Sequence, residues 1–275
     1  MEILRRAYCF LRDKYRLLSL KKYSTLAGTL VFFLIMSIVP LTFWLTLFIG
    51  KLPISVEQVF RLSIFSSVRK VFDYIRQEAE NATAGVSVLL LITSLYSATT
   101  LFYQMRRSGE IIYDFHPQHQ GMRLRLGALL LLVIVMSTVI IFLLVFAFGS
   151  LLFSRIFSRR WEMVSDYLLL TIVAFLLDLL LNMYICPHKA KITDFLPGTL
   201  ITVGLWAVAV AGFSVYLKIG NLGRLYGALS AVIVFLLWLY VMMICFIIGV
   251  IWNSERVLQK NKSRIKKKKH PILPT

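Results

Sequence analysis

Apolar and charged positions alternate along this chain in long blocks rather than singly. Residues 27–50 form a run of 24 residues without a charge, and five further apolar runs follow at 84–104, 126–153, 161–186, 197–217 and 228–253. A bilayer core about 30 Å thick takes roughly 20 apolar helical residues to cross. The pattern therefore predicts an all-α, polytopic membrane bundle with six transmembrane helices.

Two of the segments between blocks are amphipathic. Residues 3–18 put Ile3, Leu4, Ala7, Tyr8, Leu11, Tyr15 and Leu18 on one helical face and Arg5, Arg6, Arg12 and Arg16 on the other. This is the pattern of an interfacial helix lying on an anionic surface. Residues 51–83 repeat Val56, Phe60, Ile64, Val68, Val71 and Ile75 at helical spacing, with Arg61, Arg69, Asp73 and Glu80 among them. They predict an amphipathic outer loop too charged to cross. The domain reading is one membrane domain, 1–256, followed by a basic, disordered cytoplasmic tail, 257–275.

Composition changes the picture in one respect. The chain is 59% hydrophobic and 16% charged, yet its net charge is +18. In a soluble protein that charge would suggest nucleic acid. Here it predicts anionic lipid headgroups at the cytoplasmic face as partners, and no nucleic acid. With six spans, 21 Lys and Arg lie on the side of the termini and 10 on the other, which predicts cytoplasmic termini. No cleaved signal peptide is expected, and residues 27–50 would act as an uncleaved insertion signal. Cys9, Cys186 and Cys245 are scattered, so a disulfide framework is not expected. An oligomer is left open.

Candidate chemistry is sparse. Asp178 lies well inside the fourth run, and Asn182 follows one turn on, on the same face. An intramembrane carboxylate points to a proton, cation or headgroup site. A hydrogen bond locking two helices is the structural alternative. In the second run, Thr93, Tyr96, Ser97, Thr100, Tyr103, Gln104 and Arg107 recur at i+3/i+4. That stripe reads either as the wall of a hydrated path or as hydroxyls bonded to their own backbone. A substrate or ion path would thus use Asp178, Asn182, Thr93, Ser97, Thr100 and Arg107. If Asp178 faces the interior, its expected partner is Ser97 or Thr100.

Pro40 must free a carbonyl near Met36 and is a candidate hinge. Gly204, Ala207, Ala211 and Gly212 in the fifth run would allow close helix approach. His116 and His119 lack acidic or Cys companions at ligand spacing, so no metal site is predicted. The glycines of residues 218–227 lack the Lys-Ser/Thr of a phosphate loop. No catalytic residues and no cofactor are assigned.

The ordered motifs G-F-S-V-Y, L-Y-G-A-L, L-W-L-Y and W-N-S-E in the last third, with S-I-V-P at 37–40 and F-L-P-G at 195–198, resemble the YihY/BrkB membrane family. The resemblance covers about residues 20–256. It implies six spans in a bacterial inner membrane. It also implies links to serum resistance and to export of lipid or lipopolysaccharide precursors. The family's old label, a tRNA-processing ribonuclease, is widely regarded as mistaken. The expectation is a non-enzymatic membrane protein that transports or handles a lipid-like or amphiphilic substrate. The alternatives are a structural or assembly protein and, behind it, the ribonuclease.

Overall fold

The computed structural model describes residues 12–13, 16–49, 84–116, 121–156, 159–219 and 229–269. Among these residues there are no strands. Six long helices are present: α1 Tyr23–Ile49, α2 Ala84–Ile112, α3 Gly121–Ile156, α4 Arg159–Ile185, α5 Leu196–Ile219 and α6 Leu229–Lys269. A short 3₁₀ turn, Ile192–Asp194, sits between α4 and α5. Four helices are long and apolar enough to cross a membrane over Leu124–Phe142, Tyr167–Ile185, Leu196–Tyr216 and Val232–Ser263. Their outer faces expose Leu130, Ile141, Leu168, Leu200 and Val208. Such a band is tolerable against acyl chains and not against water.

Each helix packs on its neighbour in sequence, and α6 closes the ring against α1. α2 also reaches across to α4 and α6. The described core gathers where α1, α3 and α5 begin and α2, α4 and α6 end; it includes Leu30, Phe102, Ile112, Ala128, Ile185 and Phe246.

Helix ends at this side are closed by side chains from other helices. α4 stops at Ile185, ahead of Pro187, and leaves carbonyls unpaired. The Arg106 guanidinium of α2 donates to the Tyr184 and Cys186 carbonyls. The Asp194 carboxylate accepts from the Lys191 N–H at 3.1 Å and pairs with Lys260 of α6. Pro197 falls in the first turn of α5, where a missing N–H costs nothing.

Several sequence expectations need correction. The tail expected to be disordered from 257 is helical to Lys269, because Val257 is buried and Lys260 is tied to Asp194; residues 270–275 lie outside the described residues. The charged loop expected from 105 is helical to Ile112, since Met105, Glu110 and Ile112 are buried there. The small residues Gly204, Ala207, Ala211 and Gly212 face outward, and a Cβ at Gly204 or Gly212 would meet nothing within 4 Å. Of the interfacial helix at 3–18, residues 12–13 and 16–18 are helical, and the rest lie outside the described residues. So does the loop 51–83.

Pro40 has a clear consequence. α1 is helical throughout Tyr23–Ile49, although Pro40 offers no N–H to the Met36 carbonyl four residues back. The Ser97 hydroxyl of α2 donates to that carbonyl at 2.9 Å. Ser37 lies 3.0 Å from the Ser97 carbonyl in return. A neighbouring helix thus supplies the donor that proline removed.

This pairing generates a mutational cycle. Ser97→Ala is expected to lower stability by about 1 kcal/mol or less, the range of interhelical hydrogen bonds in membranes. Pro40→Ala restores the intrahelical donor, so Ser97→Ala should then be nearly silent. Thermal unfolding of the four proteins in one detergent checks this, and additive losses would break the link.

Candidate functional site

Two polar places stand out. The first is built on α4, α5 and α6. Asp178 and Asn182 lie one turn apart on α4, and both are fully buried. The Asn182 amide donates to the Asp178 Oδ2 and to its own-helix carbonyl at Asp178, each at 3.0 Å. The Asn182 Oδ1 accepts from the Asn253 amide of α6 at 2.8 Å. The Asn253 Oδ1 accepts from the Gly198 N–H of α5 at 2.7 Å. The bonds all run one way, from the first turn of α5 through two amides to the carboxyl. Gly198 N–H is one of the donors that every helix N-terminus leaves unpaired, and Asn253 satisfies it. Among the described residues Asp178 has no cationic partner. Its Oδ1 and the Thr199 hydroxyl of α5 are both buried and face each other without full hydrogen-bond geometry.

Close backbone approach holds this node shut. A Cβ on Gly198 would come within 2.3 Å of both Asn253 Oδ1 and the Gly249 carbonyl. One on Gly249 would lie 2.0 Å from the Thr202 hydroxyl. Only glycine lets α5 and α6 meet here.

The second place is a groove of about 720 Å³ where α1 begins and α2 ends. The segment before α1 contributes Leu17, Leu20, Lys21 and Lys22. Thr25, Leu26 and Thr29 come from α1. Gln104, Arg107, Ser108 and Ile111 come from α2, and Asp114 lies just beyond it. Lys21 pairs with Asp114 at 2.6 Å, and Arg107 with Glu110 at 3.1 Å.

Beside it lies a buried cluster around the α4–α5 link. Tyr113 is fully buried beneath His188, whose ring nitrogen is 3.4 Å from the Tyr113 carbonyl. Burial pushes both the Tyr113 hydroxyl and the Cys186 thiol up from their ordinary values.

The sequence-predicted residues are divided between these places. Asp178 and Asn182 are together and face the bundle interior. The expected partners on α2 are not there: Ser97 bonds the Met36 carbonyl, and Thr100 bonds the Tyr96 carbonyl at 2.8 Å. Thr93 is exposed on α2. Arg107 belongs to the groove. The stripe of α2 turns toward α1 and the outside, because α4 meets α2 through Arg106 rather than through the hydroxyls. Sequence reasoning missed Asn253, Gly198 and Gly249, and also Lys21 and Lys22 as groove residues. Asn253 closes the apolar run 228–253 within W-N-S-E, and Gly198 ends F-L-P-G; these motifs were the available signal. Among the described residues no group of three His, Cys, Asp or Glu could hold a metal ion.

The comparisons agree with a membrane assignment. A family profile described as virulence factor BrkB matches residues 15–272. A Bacillus subtilis protein named as ribonuclease-like, YfkH, is 24% identical over 260 residues, covering 87% of this chain and 92% of its own. A UPF0761 membrane protein of Coxiella burnetii is 26% identical, covering 69% of each chain. Another from Xanthomonas oryzae is 36% identical over 80 residues, 28% of this chain and 18% of its own. No solved structure gives a significant match.

The polar node makes a sharp expectation. Asp178→Asn keeps an acceptor for Asn182 and should leave the unfolding temperature nearly unchanged. Asp178→Leu removes one of the two acceptors of the buried Asn182 amide, leaving it the Asp178 main-chain carbonyl, and should cost about 1 kcal/mol or more. Gly249→Ala must part α5 from α6 and should cost at least as much. Thermal melts in detergent measure all three, and a silent Asp178→Leu would remove the anchoring role.

Proposed function

The chain belongs to the virulence factor BrkB family of membrane proteins, and on that footing we propose that it is a six-span protein of the bacterial cytoplasmic membrane that handles a lipid-like amphiphile. Both termini are cytoplasmic in this reading. The observation that supports an amphiphile is the groove between α1 and α2. It joins three cations and several hydroxyls to the aliphatic side chains of Leu17, Leu20, Leu26 and Ile111. Pockets of roughly 300–1,000 Å³ suit small ligands, so this one holds a headgroup and the start of its chains rather than a whole lipid.

Orientation is supported by charge. The 21 Lys and Arg assigned to the side of the termini include Lys21, Lys22, Arg107, Arg125, Lys189 and Lys260. They crowd the end of the bundle that carries the groove, as the cytoplasmic end of a membrane protein does. Pro40 stands as the candidate hinge deeper along α1, well beyond the groove residue Thr29, with Ser97 as its latch.

A second reading has its own observation. Asp178 is sealed among α4, α5 and α6, which favours a structural or assembly role for that node over a transport path. The ribonuclease-like name of the Bacillus relative defines a third reading, for which Glu110, Asp114 and His116 would be the candidate acids and base.

Proteoliposomes carrying the purified chain are expected to move a fluorescent phospholipid between leaflets faster than protein-free vesicles. Equal rates would leave the assembly reading in possession. Reporter fusions at Thr275 and in residues 51–83 should report opposite sides of the membrane. The purified chain should not cleave tRNA; cleavage lost in a Glu110→Ala, Asp114→Ala, His116→Ala variant would establish the nuclease instead.

A further inference from the structure

We propose that the α1–α2 groove binds the headgroup of an anionic phospholipid, with Lys22 as the cation that reads its charge. This rests on the amphiphile reading above and names the class of headgroup. Three cations line the groove against one carboxylate, Asp114. Lys21 is neutralised by that carboxylate at 2.6 Å, and Arg107 by Glu110, which is buried behind it. Lys22 has no carboxylate partner among the described residues. Once the internal pairs are counted, one positive charge is left facing the groove.

The backbone at Lys22 points the same way. Its φ is +52°, in the left-handed region where glycine or asparagine is the ordinary choice. The turn is a working helix stop, since the Lys22 N–H donates to the Ser19 carbonyl at 3.0 Å. Glycine would make that stop with less strain. The lysine therefore brings something other than backbone geometry, and strained positions of this kind concentrate at ligand sites.

The remaining lining fits a phosphodiester bearing acyl chains. Thr25 offers a hydroxyl on α1 and Gln104 an amide on α2, while the Thr29 hydroxyl donates to the Thr25 carbonyl at 3.0 Å. Charge-assisted bonds from an ammonium to phosphate oxygens are stronger than neutral ones. Leu20 and Ile111 are both more than half exposed at the rim, which suits a glycerol backbone and the first methylenes of its chains. Free phosphate would use the same polar groups and leave those side chains uncovered, so the two sources are separable.

The test uses the full chain in mild detergent, offered phosphatidylglycerol, phosphatidylcholine of the same acyl chains, and inorganic phosphate alone. Lipid retention is read by native mass spectrometry. Wild type is expected to retain phosphatidylglycerol about tenfold over phosphatidylcholine, with no competition from millimolar phosphate. Lys22→Gly should melt no lower than wild type and lose the preference. Lys262→Gln, which removes an exposed lysine elsewhere on α6, should keep it. Equal retention of the two lipids, a preference surviving in Lys22→Gly, or an equal loss in Lys262→Gln each overturns the anionic headgroup and leaves amphiphile handling standing. Displacement of lipid by phosphate alone would make this a free-phosphate site. Retention of neither lipid overturns both readings.

Discussion

Inside an apolar bundle, any main-chain N–H or carbonyl that its own helix leaves unpaired must find a partner on another helix. The described structure is organised around that requirement. Pro40 orphans the Met36 carbonyl, and Ser97 on α2 supplies the donor. The end of α4 leaves the Tyr184 and Cys186 carbonyls open, and Arg106 on α2 closes them. The first turn of α5 leaves the Gly198 N–H open, and Asn253 on α6 accepts it. Each defect in one helix thereby fixes the position of a second one.

The same requirement explains why the interior polar residues sit where they do. Asn253 cannot satisfy Gly198 unless α5 and α6 touch, and Gly198 and Gly249 permit that contact. Its amide then needs an acceptor, which Asn182 provides, and Asn182 in turn donates to Asp178. Asp178 is the terminus of a relay that begins at a helix N-terminus. The carboxyl sits where a chain of donors ends in an acceptor, and among the described residues it has no cationic partner.

The proposed function therefore centres on the groove rather than on the carboxyl that first draws the eye. The node at Asp178 is closed on every side by packed helices, whereas the groove at the start of α1 is open, charged and edged with aliphatic side chains. A division follows between an interior that holds helices in register and a rim that can meet lipid. Gln104 and Arg107 stood at the end of the α2 stripe in sequence, and they are the members of that stripe that reach the groove.

The helical class, the membrane setting and the approximate starts of the six helices were legible in the chain, because uncharged runs of bilayer length have few alternatives in lipid. The freed carbonyl near Met36 and the shared face of Asp178 and Asn182 were legible for the same reason: proline chemistry and the 3.6-residue period are local. The partners were not. Ser97 looked like part of a path and is the donor to Met36. The small residues of α5 at 204–212 looked like a contact surface and face outward, while Gly198 makes the close crossing. The acidic partner of Lys260 lies 66 residues away, and it carries α6 past the point where the basic composition suggested a disordered tail. Sequence fixes which face of a helix a residue occupies; only the tertiary arrangement decides which neighbour that face meets, because helix rotation and pairing are set by contacts between segments far apart in the chain.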